Sequence, residues 1–223
     1  MSTILVTGAN RGIGLEFCRQ LKSRGDEVIA ACRSSSPDLD QLDIEVIEGV
    51  DVGDPESVAQ LASRLTGRRI DMLINNAGIL RRDSIGALAA ESVTDVMDQF
   101  RTNSLGPVLV TEALLPNLQK GSKVGIVTSR MGSVTDNTSG GYYGYRMSKA
   151  AVNIAGVSLA RDLADRGIAV ALLHPGYVRT DMTGQEGFID PDEAARGLIQ
   201  RLDELNMNSS GGFWHTNGEA LPW

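Results

Sequence analysis

Short apolar runs alternate with amphipathic segments along most of the chain. "TILVT" (3–7), "EVIAAC" (27–32), "IEVIEGV" (44–50), "DMLIN" (71–75), "KVGIVTS" (123–129) and "IAVALLH" (168–174) are rich in Val and Ile and read as buried strands. Between them, apolar residues recur at three- and four-residue spacing. Leu15, Phe17, Cys18 and Leu21 mark a first helix, with Gly25 at its C-terminal end. "DPESVAQLASRL" begins with Asp54 as an N-cap and Pro55 at the first helical position. Residues 91–120 read as two helices, the second perturbed by Pro107 and Pro116. Residues 142–166 and 190–205 read as two more, the latter capped at its start in "DPDEAARGLIQRLDEL", and 176–189 as a loop. Strand–helix alternation of this kind predicts an α/β fold, a doubly wound parallel sheet with helices on both faces. No repeat, low-complexity tract or linker divides the chain, so residues 1–223 form one expected domain.

Composition narrows the class. Acidic residues outnumber basic ones, 28 to 21, and the net charge is −7. No Lys/Arg-rich block stands against that background, so neither a nucleic acid nor an anionic membrane is an expected partner. The first residues run straight into a strand with no basic or long apolar leader, and no apolar run approaches membrane-spanning length. Cys18 and Cys32 have neither a metal-type spacing nor a close-set pairing. A reduced, cytoplasmic protein without a metal site is the expectation.

Candidate chemistry collects at the C-terminal ends of the strands. The first strand leads into "TGANRGIG", with Gly8, Gly12 and Gly14, and then a helix. Glycines allow a tight turn and close ligand approach, and the helix N-terminus offers N–H groups to a pyrophosphate. The fourth strand ends in "NNAG", Asn75 to Gly78. In a doubly wound sheet, strand C-terminal ends line the ligand crevice. Gly8, Asn75, Ser129 and Pro175 all follow such ends.

"GGYYGYRMSKAAVN" (140–153) adds three tyrosines in four positions. On a helix, residues four apart share a face, which pairs Tyr142 with Arg146, Tyr143 with Met147, and Tyr145 with Lys149. A cation near a phenol stabilises the phenolate. Tyr145 with Lys149 is the best acid/base pair on these grounds and Tyr142 with Arg146 the second; a ring packed on a lysine stem is the alternative.

These pieces occur in order: TGANRGIG, NNAG, Asn103 in "RTNSLGP", Ser129 in "IVTSRMG", Tyr145-x-x-x-Lys149 and "HPGYVRT" (174–180). In this the chain resembles the short-chain dehydrogenase/reductases over nearly its whole length. "YRMSKAAVN" and the short C-terminal portion are most similar to C-factor-like or sniffer-like carbonyl reductases. The resemblance implies a single-domain Rossmann fold with a substrate loop at about 176–189.

It also implies roles. Tyr145 is the general acid in reduction and the base in oxidation. Ser129 bonds the substrate carbonyl. Lys149 lowers the Tyr145 pKa and binds the nicotinamide ribose, and Asn103 holds a water connecting Lys149 to solvent. Gly8, Asn10, Arg11, Gly12, Ile13 and Gly14 form the pyrophosphate turn. Asp51 and Val52 border the adenine, Asn75, Ala77 and Gly78 follow the fourth strand, and Pro175, Gly176, Val178 and Thr180 embrace the nicotinamide. Ser129 precedes Tyr145 by sixteen residues, more than is usual in the family, so Ser133 competes. Ser129 is preferred because it ends a strand and is followed by x-x-Gly.

In dinucleotide folds an acidic residue after the second strand favours NAD. Here Cys32 and Arg33 stand at that place, with Arg11 in the glycine turn, which points to NADP(H). The expected function is NADPH-dependent reduction of an aldehyde, ketone or quinone. The alternatives are a C-factor-like signalling protein with incidental turnover, or an alcohol dehydrogenase working oxidatively. Family dimers and tetramers make a homo-oligomer the expected assembly. Loops 79–90, 130–141 and 176–189 should shape the substrate pocket. Arg81 and Arg82 there could touch an anionic substrate or simply be solvated. "GVSLA" around Ser158 lies within a helix, not at a nucleophile turn, and His174 and His215 read as structural.

Overall fold

A computed structural model describes residues 1–86 and 90–223. Seven parallel strands form one sheet: β1 (Thr3–Thr7), β2 (Glu27–Ala31), β3 (Glu45–Ile47), β4 (Ile70–Asn75), β5 (Leu118–Val127), β6 (Ala169–His174) and β7 (Gly212–His215). Their spatial order is β3-β2-β1-β4-β5-β6-β7. The chain runs outward from β1 to one edge, then returns to β4 and runs to the other. That reversal opens a crevice between the C-terminal ends of β1 and β4, where doubly wound sheets bind ligands.

Both faces are covered. On one face α1 (Gly12–Ser23) packs against α7 (Pro191–Glu204), and Phe17, Leu21, Leu198 and Leu202 are buried there. On the other lie α3 (Pro55–Arg64), α5 (Gly106–Ala113) and α6 (Tyr143–Asp162), burying Leu61, Val110 and Val152 over Leu73 and Val124. A short helix, α2 (Pro37–Asp40), follows β2, and α4 (Ala90–Phe100) packs against α6. The expected signals at helix ends hold. Gly25 N–H donates to Lys22 after α1, and the Asp54 carboxylate caps α3 through Glu56 N–H at 3.1 Å.

Three expectations need correction. Residues 91–120 are not helical throughout: the two expected helices, α4 and α5, are joined without a break by a π-helical turn, Arg101–Leu105, but α5 ends at Ala113 and residues 118–120 already belong to β5. Pro107 has no N–H for the carbonyl of Asn103 four residues back and would crowd it in a regular helix, so the widened turn falls where the chain must avoid it. Second, α6 starts at Tyr143, and Tyr142 precedes it in the left-handed region, φ 52°. The expected pairing of Tyr142 with Arg146 on a helix face therefore does not form. Arg146 Nε, Nη1 and Nη2 go instead to Gly141 O, Met131 O and Ser139 Oγ. Third, Asp190 stands at the N-cap of α7, but its carboxylate bonds Arg179 and not the helix. No sequence signal had marked β7, a four-residue edge strand.

Candidate active site

The turn after β1 is built by close approach. Gly8 has φ +65°, and a Cβ on it would lie 2.7 Å from Ala77 Cα. A Cβ on Gly14 would meet Gly8 O at 2.1 Å, so any side chain would push α1 off the turn. No side chain caps α1, which leaves its first amides facing the cleft. Asn76 locks the turn to the end of β4: its Nδ2 donates to Thr7 O at 3.0 Å and to Gly8 O at 3.1 Å.

A cleft of about 980 Å³ runs from this turn to Tyr145 and Lys149. Gly8, Asn10, Arg11, Gly12, Ile13, Gly14, Arg33, Asp51, Val52, Ala77, Gly78, Pro175 and Thr180 line it, as expected from the sequence. Asn75 does not. It is buried on the α5 side, with Nδ2 donating to Thr111 Oγ1 at 3.2 Å. Side chains alternate across a strand end, and the expectation chose the wrong asparagine of the pair. Asn76 was missed and takes the cleft side. Gly176 and Val178 are not in the lining either; the Val178 side chain is buried and its main chain bridges to Ile189. Cys32 borders the cleft, yet its side chain sits in the core beside Cys18. Both thiols are free, and burial pushes them up to about 11 and about 12 respectively.

At the far end, the strand–turn after β5 meets α6. Ser129 caps a single 3₁₀ turn, accepting from Met131 N–H at 3.1 Å, and lies near enough to the Tyr145 phenol to favour its ionised form. Gly132 makes this possible: a Cβ there would come within 2.6 Å of the Lys149 backbone, so only glycine lets the turn lie on α6. Ser133 is spent elsewhere, its Oγ accepting from Asp136 N–H at 3.1 Å within the following turn. Tyr145 is 8% exposed, whereas Tyr143 is 37% exposed.

Lys149 Nζ donates to Val127 O at 3.0 Å and lies 5.7 Å from the Tyr145 ring centroid. Burial pushes Lys149 down to about 8 and Tyr145 up to about 12, with nearby Ser129 opposing the latter. Desolvation of the phenolate is the largest influence on Tyr145. Asn103 in the π turn is a clamp. Its Oδ1 accepts from Ile79 N–H at 2.8 Å, and its Nδ2 donates to Ile79 O at 2.8 Å and to Ser148 Oγ at 3.0 Å. This holds the Gly78–Ile79 turn against Lys149. His174 is pushed down to about 3, chiefly by burial, and meets His215 edge-on at 5.1 Å, in keeping with structural roles. Among the described residues no helix is long and apolar enough to cross a membrane, and no cluster of His, Cys, Asp or Glu could hold a metal.

A glycine-turn cleft at the strand-order reversal, with Tyr145 and Lys149 in its lining, fits an oxidoreductase of the α/β class. The short chain dehydrogenase family model matches residues 2–187. The chain belongs to that family. It is 46% identical over 229 residues, all of both chains, to the 1-hydroxy-2-glutathionyl-2-methyl-3-butene dehydrogenase of Rhodococcus sp. (strain AD45). It is 45% identical over 159 residues to the C-signal of Myxococcus xanthus, covering 69% of this chain and 93% of that one. Among solved structures, the NADPH-bound carbonyl reductase from chicken fatty liver superposes with a TM-score of 0.90 at 31% identity, over 100% of this chain and 99% of that one. The carbonyl reductase Sniffer of D. melanogaster gives 0.91 at 29%, over all of both chains.

Proposed function

We propose that the protein is an NADPH-dependent reductase of aldehydes, ketones or quinones. The observation that carries this reading is the Ser129–Tyr145–Lys149 cluster at the end of a cleft that begins at an uncapped helix N-terminus. The dinucleotide fits by shape and by donors: Gly8, Gly12 and Gly14 place no Cβ at three positions of the turn, and α1 presents free amides. When bound, the cofactor supplies hydride chemistry. The chain supplies the rest. Ser129 orients the substrate oxygen towards Tyr145, and Tyr145 gives that oxygen its proton. Lys149 lies beside the ring to hold the ribose. Asn103 keeps the Gly78–Ile79 turn in place.

The test is a screen of NADPH oxidation over aldehydes, ketones, quinones and diketones. It should be run beside NADP⁺ and NAD⁺ reduction over alcohols that include a glutathionyl alcohol. The Rhodococcus relative favours that second, oxidative reading, because it matches over the whole length of both chains. The same residues serve both directions, with Tyr145 as base in oxidation. Flat traces throughout, with NADPH binding intact, would favour a signalling role like that named for the Myxococcus relative. Two buried free thiols support a reducing, cytoplasmic setting.

Cofactor choice rests on Arg33 and Arg11, both on the rim of the cleft. Among the described residues Arg11 has one ion pair, an exposed contact with Asp181 at 3.6 Å, weak enough to exchange for a phosphate. Since the Cys32 side chain is in the core, an acid at that position would be buried, and Arg33 is the place to change. Arg33→Asp removes a guanidinium from a 2′-phosphate and adds repulsion. Each charge-assisted hydrogen bond is worth roughly 1.5–3 kcal/mol, so the NADPH/NADH ratio of kcat/KM should fall by about one to two decades. A wild-type enzyme equally good with NADH would overturn this assignment.

The protein should also self-associate. Val93 and Met97 on α4 and Met147 and Ile154 on α6 recur at helical spacing, and all are more than half exposed. The two helices pack together, so these side chains offer an apolar face to a second copy. Light scattering at micromolar concentration should give at least twice the chain mass, and Ile154→Glu should reduce it to one chain. A monomeric wild type would contradict the proposal.

A further inference from the structure

Arg146 follows Tyr145 on α6, yet it is not part of the cleft lining. Its guanidinium is met by oxygens of neutral groups. Nε donates to Gly141 O at 3.1 Å and to Gly140 O at 3.3 Å, Nη1 to Met131 O at 3.3 Å, and Nη2 to Ser139 Oγ at 2.9 Å. One side chain of the catalytic helix thus holds both ends of the loop 130–141, the connection that is longer here than is usual between the serine and the tyrosine.

The cradle comes from the backbone before α6. Gly140 and Gly141 both have φ +65°, and Tyr142 follows with φ 52°. Three successive left-handed residues curl the chain back on itself, so that adjacent carbonyls turn towards one cation. The two glycines do this without steric cost. Tyr142 does not, and it is held from both sides: its N–H donates to Asp83 O at 3.0 Å, and its carbonyl accepts from Arg146 N–H at 2.8 Å. The Asp83 carboxylate accepts from the amides of Tyr143 and of Gly144, the latter at 2.8 Å. Asp83 therefore takes the free donors at the start of α6, where a carboxylate is stabilised, and Arg146 takes the carbonyls.

At the other end, Met131 stands between Arg146 and Ser129. Its carbonyl accepts from Arg146, and its N–H donates to Ser129 Oγ at 3.1 Å. With that lone pair occupied, the Ser129 hydroxyl keeps its proton for a substrate oxygen. Arg130 ties the far side of the turn to Asp136 at 3.1 Å and to Glu219 at 3.3 Å, while Arg146 ties the near side to the catalytic helix.

We propose that Arg146 is the positioning residue for Ser129. By fastening the Met131 carbonyl and the end of the loop to α6, it sets the serine hydroxyl where one carbonyl oxygen can meet both Ser129 and Tyr145. A free loop gains conformational freedom with length. A planar guanidinium with fixed donor directions removes that freedom at several points at once, which a lysine ammonium cannot do. The inference rests on reading Ser129 and Tyr145 as the groups that meet the substrate oxygen.

The experiment is a double-mutant cycle on kcat with one carbonyl substrate: wild type, Arg146→Met, Ser129→Ala and the two together. Arg146→Met should lower kcat by about tenfold, since a displacement of about 1 Å can cost about 10²-fold and Arg130 still holds part of the turn. In the Ser129→Ala background the same change should cost less than about twofold, because the group it positions is gone. NADPH affinity, read by fluorescence titration, should be unchanged, and Arg146→Lys should recover part of the loss. A general structural role would give equal losses in both backgrounds. Equal losses, a parallel loss of NADPH affinity, or an Arg146→Met kcat within about twofold of wild type overturns the proposal. If Arg146→Met does not fold, Arg146→Lys takes its place in the cycle. If the wild type reduces no carbonyl, the reductase reading fails separately, and amide exchange reads the turn without turnover. The Met131, Gly132 and Ser133 amides should then exchange faster in Arg146→Met, and unchanged exchange overturns the proposal.

Discussion

Tyr145→Phe should lower kcat by about 10²–10⁴-fold, the usual contribution of a positioned acid–base group, with the fold unchanged. The ring stays and only a hydroxyl leaves, so the packing of this nearly buried side chain is preserved. Tyr143→Phe and Tyr142→Phe should remain within severalfold of wild type. Tyr143 is partly exposed, and Tyr142 lies outside the helix and makes its bonds to Asp83 and Arg146 through its main chain. A near-normal Tyr145→Phe enzyme would remove Tyr145 from the mechanism. The pH profile of kcat/KM reports free-enzyme ionisations and adds a second check. With Tyr145 near 12 and Lys149 near 8, the phenol stays protonated across the working range while the ammonium discharges. Reduction should therefore hold below about 8 and decline as pH rises through it, as Lys149 loses the charge that holds the ribose. Oxidation needs the phenolate and should rise with pH instead.

Most of the site was legible because its residues are local to motifs. The Gly8–Gly14 turn, the Ser129-x-x-Gly132 turn and Tyr145-x-x-x-Lys149 each sit within a few residues of a strong apolar run, and the strand order brings their ends together. What the sequence did not disclose depends on partners distant in the chain or on the last residue of an element. Asp83 caps a helix sixty residues away, which no local spacing signals. Whether Asn75 or Asn76 faces the cleft depends on where β4 ends, the kind of boundary that pattern reading places least well. The left-handed Tyr142 broke an i, i+4 pairing that assumed a helix one residue longer. The strand β7 is too short and too polar at its His215 end to show a period. Cys32 stands at the position where a ribose-binding acid is expected, and strand alternation turns its side chain into the core.

The competition between Ser129 and Ser133 shows how geometry decides where spacing cannot. Sixteen residues to Tyr145 is long for Ser129, and twelve would suit Ser133. Both are nearly buried, at 7% and 2% exposure, so burial does not separate them. Their surroundings do. Ser133 ends the 3₁₀ turn, and its Oγ holds Asp136 N–H in the next one; it shapes the loop that continues to Gly141. Ser129 begins the same turn and is the serine near enough to the Tyr145 phenol to favour its ionised form. The additional residues of this chain therefore lie after the serine, in the loop flanking the substrate, and leave the serine close to the tyrosine. Ser129→Ala should remove a donor to an oxygen that gains negative charge, at a cost of about 2–4 kcal/mol in the transition state, or roughly 30- to 10³-fold in kcat. Ser133→Ala loses one turn bond, worth about 1 kcal/mol of stability, and should leave kcat within severalfold. Measured side by side on one carbonyl substrate, the reverse ranking would transfer the role to Ser133 and require the 3₁₀ turn to re-form with its second serine facing Tyr145.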